Sequence, residues 1–159
     1  MTIDHAAARA ALLADEALYA TLPLDGKALL ALALAVLDAA PAPVAVKIVI
    51  AGRTIVEIAE DGTAGDNSHF LDLKLATVRG CGHSSLWWHH HLRATGRTLK
   101  DVDWADPFRV VDMGGGMPLF AGGRVIGGIA VSGLAHEDDH AVLMVAARAV
   151  LGQTTGEAA

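Results

Sequence analysis

The stretch HSSLWWHHHL, residues 83 to 92, sets imidazoles beside indoles at a density that invites metal or haem ligation. Helical geometry decides against a site built from His89, His90 and His91 together. Successive helix residues point about 100° apart, so three consecutive rings cannot converge on one ion. Only residues three or four apart share a face, which links His83 with Trp87 and Trp87 with His90 or His91. One imidazole of the run could ligate iron or a metal. The plainer reading is solvated histidines beside tryptophans that cover a core or an interface.

His136-Glu137-Asp138-Asp139-His140 matches the HExxH pattern, in which two histidines one turn apart hold zinc and a glutamate activates water. The acidic residues are equally explained by the dipole of a helix that starts there, and only Glu157 follows as a third ligand. The expectation is therefore a divalent-metal pair, His136 and His140, without protease chemistry. Gly114-Gly115-Gly116 permits positive φ and lets backbone amides approach a ligand, or else forms only a tight loop. Asp66-Asn67 is suited to cap a helix carrying Lys74. Cys81, between two glycines near a helix start, is a candidate for a lowered pKa, with His83 as the one base nearby. There is no Ser-His-Asp pattern, phosphate loop or dinucleotide fingerprint.

The chain has 159 residues, 53% hydrophobic and 19% charged, enough for one domain with a core and incompatible with disorder. Its formal charge is −6 and its basic residues are scattered, which argues against nucleic acid and anionic membranes as partners. A single cysteine forbids an intrachain disulfide and fits a reducing compartment. The start MTIDHAAARAALLADEAL lacks the basic-then-apolar pattern of a signal peptide. The apolar run Ala28 to Leu37 falls far short of the ~20 residues that span a bilayer. The expectation is a cytoplasmic protein.

Helical patterning covers 5–20 and, behind Asp25 as cap, a second segment to about Ala40, ended by Pro41 and Pro43. Val44, Val46, Ile48 and Ile50 alternate with smaller or charged residues in a strand. Gly52-Arg53 is expected as the turn to an antiparallel partner within 43–60. Two helices broken near Gly80-Cys81-Gly82 fill 66–95, and Gly96 stops the second. After an acidic connector with Asp101, Asp103 and Asp106, a second hairpin over 114–133 turns at Gly122-Gly123. In its return strand Ile126, Gly128, Ala130 and Ser132 form a small-residue face, so a helix, a subunit or a ligand must approach closely there. A last helix spans 136–152, and GQTTGEAA reads as a frayed tail. Two hairpins separated by helices predict one α+β domain, an antiparallel sheet covered by helices on one face. A second subunit is expected to cover the other.

CGHSS at 81–85, GRTL at 96–99, GGGMPLF at 114–120 and IGGIAVSGLAHEDDH at 126–140 together resemble the haem-degrading-domain proteins of the GlcG and HbpS type. The resemblance runs most closely to a subgroup with FGHSS, HGGxFPI and VSGLxxEDH segments. It implies a profilin-like α/β sandwich that assembles into homo-oligomers, at least dimers. Haem or a related tetrapyrrole is its implied cofactor, and haem degradation a further possibility. Asp66-Asn67, Lys74, His83-Ser84-Ser85, Gly114-Gly115, Pro118, Ser132-Gly133-Leu134 and Asp139-His140 match the pattern. Met113 stands where the family usually has histidine. Phe70, Asp72 and Leu73 stand where it has tryptophan and two basic residues.

The leading expectation is a small oligomeric protein that binds a planar or anionic small molecule. Its pocket would join His83, Ser84, Ser85, Gly114, Gly115, Gly116, Ser132, Asp139, His140 and Lys74. Glycine amides would meet a carboxylate and a histidine would ligate iron. The alternatives are a non-enzymatic assembly scaffold of the same fold and a metal-dependent enzyme using His136 and His140. No residue pattern assigns a reaction.

Overall fold

A computed structural model describes residues 1–152 with their side chains and the last helix as far as Ala158. The expected frayed tail, apart from Gly152, lies outside the residues described with side chains. Helix α1 (His5–Tyr19) is capped by the Asp4 carboxylate on Ala7 N–H, and α2 (Gly26–Ala39) by Asp25 on Ala28 N–H. Strands β1 (Ala45–Ile50) and β2 (Arg53–Ala59) form the first hairpin. Helices α3 (Gly65–Cys81) and α4 (Ser85–Ala94) follow, then β3 (Gly116–Ala121), β4 (Arg124–Ser132) and α5 (His136–Ala158). No helix among the described residues is long and apolar enough to cross a membrane.

The four strands form one antiparallel sheet in the order β2-β1-β4-β3. The fold class is α+β, as the sequence predicts. Three local expectations shift slightly. The first hairpin turns on Ala51-Gly52, at φ 50° and 76°, one residue before the expected Gly52-Arg53. Two consecutive positive-φ residues match the right-handed strand twist, and the next residue must already pair. The second turn is Gly122-Gly123 as expected, at φ 57° and 74°. Helix α3 starts at Gly65, and Asn67 acts from the third helical position, its Oδ1 accepting the Ala64 N–H at 2.9 Å. It supplies the reciprocal half of a capping box rather than the cap itself.

One sheet face carries the main core. Val46, Ile48, Met117, Leu119, Ile129 and Val131 are fully buried there against α2 and α5. Each such side chain contributes about 1.5–3 kcal/mol relative to exposure. Tyr19 pins α1 to this layer by donating its hydroxyl to Leu143 O at 2.7 Å. The expectation of a sheet helically covered on one face only is corrected. Helix α3 lies on the second face, where Leu71 and Leu75 pack on Ala45 and Ala130. It is the close neighbour that the small residues of β4 require. A Cβ at Gly128 would stand 3.1 Å from Leu75 Cδ2 and from Met117 O.

Candidate functional site

Lys74 comes from the middle of α3 and Asp139 from the first turn of α5. Lys74 Nζ donates to Asp139 Oδ2 at 2.8 Å and to Val131 O at 2.7 Å, with both side chains 2% exposed. Asp139 Oδ1 accepts the Leu134 N–H at 3.1 Å. Burial disfavours charge on both members. It pulls the Lys74 amine below its ordinary value against the pull of Asp139, and pushes the Asp139 carboxyl up against Lys74.

The glycine loop is moulded on this pair. Gly115 has φ +108°, and a Cβ there would meet Lys74 Nζ and Val131 O, each at 2.7 Å. Two of the three amides expected to greet a ligand are engaged inside the protein. Gly114 N–H donates to His136 Nδ1 at 3.0 Å, and Gly116 N–H to Ser85 Oγ at 2.8 Å. Ser85 is thus an internal acceptor, fully buried.

His83, Ser84 and His140 belong to a different place, beneath α1. Glu16, 7% exposed, accepts from Ser84 N–H at 2.8 Å and from His83 Nδ1 at 2.9 Å. His83 stacks on Trp87 at 3.9 Å, and Ser84 Oγ caps α4 by accepting from Trp87 N–H. His140 pairs with Asp15, Nε2 to Oδ2 at 2.8 Å, and its buried Nδ1 has no hydrogen-bond partner among the described residues. Asp139 and His140 therefore serve different networks, as helix neighbours about 100° apart can. The ten expected ligand residues do not line one pocket together: Lys74, Ser132 and Asp139 line a small concavity, while His83, Ser84 and His140 lie beneath α1.

The metal pair is not assembled either. His136 receives Gly114 N–H and sets Nε2 3.0 Å from Glu137, while His140 turns to Asp15. Among the described residues no three His, Cys, Asp or Glu side chains are arranged to hold a metal ion. Histidines 89 to 91 serve helix packing: His90 Nδ1 lies 2.8 Å from His5 Nδ1, and His91 Nδ1 lies 2.7 Å from Arg9 on α1. His89 Nδ1 donates to Asp112 O at 3.1 Å. Cys81, a candidate for a lowered pKa, shifts the other way. Burial, the dominant cause, pushes its thiol up to about 12, so it stays protonated.

Two concavities stand out among the described residues. The small one, about 180 Å³, is lined by Lys74, Asp139, Ser132, Asn67 and by Phe70 and Met113. Two of the residues that depart from the family pattern, Phe70 and Met113, thus share one pocket with residues that match it. The larger, about 500 Å³, lies where α3 leaves the hairpin end of the sheet uncovered. Val49, Leu75, Ile126 and Gly128 line it, together with the charged Lys47, Asp72 and Arg79. Lys47 is held by Asp72 at 2.9 Å and Glu57 at 3.3 Å. The Arg79 side chain makes no hydrogen bond or ion pair among the described residues. Sequence reasoning passed over Arg79, Asp15 and Glu16. The small β4 face was the one available signal for the groove.

The comparisons agree with this architecture. The family description "Haem degrading protein HbpS-like" matches residues 24–148. A UPF0303 protein of Streptomyces avermitilis is 35% identical over 106 residues, 66% of this chain and 65% of that one; the matched stretch therefore spans under two thirds of the relative. The structure described as a PduOC:haem complex superposes with a TM-score of 0.65 at 26% identity, covering 76% of this chain and 90% of its own. Ybr137w shares the fold at a TM-score of 0.78 and 20% identity, over 87% and 85% of the two chains. On the span of that family match the chain belongs to the HbpS-like haem-degrading protein family.

Proposed function

We propose that this protein binds a planar, anionic, largely apolar small molecule, with haem or a related tetrapyrrole as the named candidate, in the groove between α3 and β1/β4. The observation that carries the reading is the groove itself. Its volume of about 500 Å³ falls within the range of ligand clefts. Its lining carries two cations, Lys47 and Arg79, against one anion, Asp72, a balance of +1 on a chain of net charge −6. The apolar walls suit the face of a macrocycle, and Arg79 offers an unpaired fork to a carboxylate. No histidine, cysteine or methionine lines the groove, so recognition there rests on shape and charge. The haem-bound PduOC neighbour and the family assignment support the ligand class. The glycine-loop network fits a tetrapyrrole poorly, because the Gly114 and Gly116 amides are engaged and its adjoining pocket is about 180 Å³.

Haemin titration of untagged protein, followed by absorbance, tests the reading. A saturable Soret shift is expected that survives His89→Ala/His90→Ala/His91→Ala and weakens about tenfold in Arg79→Glu, the scale of one charge-assisted hydrogen bond. Equal affinity in the Arg79→Glu protein overturns the groove assignment, and absence of saturable binding overturns the ligand class.

One further observation favours self-association. Leu30 and Leu34, one turn apart on α2, are 44% and 46% exposed. A dimeric or larger mass by light scattering, reduced in Leu30→Glu/Leu34→Glu, is the expected result.

A further inference from the structure

We infer that the N-terminal half of α1 is an arm released by acid, hinged at Leu12, because its two side-chain hydrogen bonds to α4 both require an uncharged imidazole. A guanidinium only donates, so the 2.7 Å contact between Arg9 Nη1 and His91 Nδ1 needs a lone pair on His91. Protonation of His91 would turn that acceptor into a donor facing a cation. His5 and His90 bring their Nδ1 atoms to 2.8 Å and share one proton; a second would set two N–H groups head to head.

The C-terminal half of α1 is tied the opposite way. Its contacts are the carboxylates of Asp15 on His140 and Glu16 on His83, which attract an imidazolium. Leu12 and Tyr19 also anchor this half in the core, whereas no residue from Met1 to Ala11 is buried. Apolar burial therefore holds one end of α1, while polar contacts with imidazoles and the Arg9 guanidinium, 5.8 Å from the Trp87 ring centroid, hold the other.

The surrounding charges are mixed, and most oppose protonation. His90 faces His5 from α1, His89 and Arg93 from α4, and Glu137 from α5, of which only Glu137 favours its charged form. His91 faces Arg9 from α1, Arg97 from the following loop and His83, all opposing. Asp112 is engaged by His89 and Arg93. His136 of α5 sits 4.6 Å from His89, ring to ring. Burial first, then these neighbours, lowers His90 to about 4 and moves His91 the same way. A histidine held below its ordinary value lends stability that is complete above pH ~6.5 and is lost as pH falls toward the folded value. The arm should therefore loosen between pH ~6.5 and about 4.

Hydrogen exchange of the full chain at pH 8 and pH 5, with rates corrected for intrinsic exchange, reads this directly. Amide protection over residues 6–11 should fall about tenfold at pH 5, after allowance for solvent screening, while amides 143–147 of α5 keep theirs. His90→Gln/His91→Gln keeps neutral acceptors that do not titrate, and should remove the pH dependence. Unchanged arm protection, parallel loss in α5, or the same acid loss in the double glutamine variant would each overturn the inference.

Discussion

Lys74 and Asp139 lie 65 positions apart in the chain and meet as a 2.8 Å ion pair with about 2% of either side chain exposed. The pair joins the helix on one sheet face to the helix that begins beside the glycine loop, and Val131 O completes the contact from β4. A buried pair of this kind stabilises little relative to an apolar replacement, but removing one partner leaves an uncompensated charge.

Asp139→Ala and Lys74→Met are accordingly expected to cost about 3–5 kcal/mol each in denaturant titrations. The double variant Lys74→Met/Asp139→Leu should recover most of that loss. A double variant as unstable as the sum of the singles would show that the pair's role is not electrostatic.

Gly115→Ala should destabilise the fold by about 1–3 kcal/mol from backbone strain, with the clash against Lys74 Nζ and Val131 O added. Gly26→Ala, where nothing lies within 4 Å of the new Cβ, serves as the control and is expected to be neutral or slightly stabilising. Thermal melts of both proteins make the comparison.

The Cys81 thiol, pushed up to about 12, should resist a disulfide-exchange reagent in native protein at pH 8 and react fully in denaturant. Rapid native labelling would contradict the raised thiol pKa.

Glu16→Ala removes the acceptor of Ser84 N–H and the partner of His83, with an expected loss of about 1–3 kcal/mol. Glu16→Gln keeps an oxygen for Ser84 and should recover part of it. Equal stability of the two variants would assign the whole effect to the carboxylate charge.

The helices and hairpins were legible because their signals are local. Asp25 caps α2, Gly82 and Gly96 end α3 and α4 at φ 72° and 64°, and Gly122-Gly123 turns the second hairpin. Each depends on backbone geometry within a few residues. The small residues of β4 likewise announced a close neighbour, which proved to be α3. The family motifs were equally legible, since they are strings of adjacent residues.

The site was not legible, because its residues take their roles from partners far along the chain. His140 stands beside Asp139 in every sequence motif, yet it pairs with Asp15, 125 positions away, while Asp139 turns to Lys74. The histidine run read as solvated imidazoles beside tryptophans until α1 was laid against it, and Arg79 drew no notice until α3 crossed β4 and left the hairpin end open. The sequence by itself determined the elements, their order and the family. Only the tertiary structure decided which polar groups are satisfied internally and which face a groove, because helix docking chooses those partners and no local rule of spacing contains that choice.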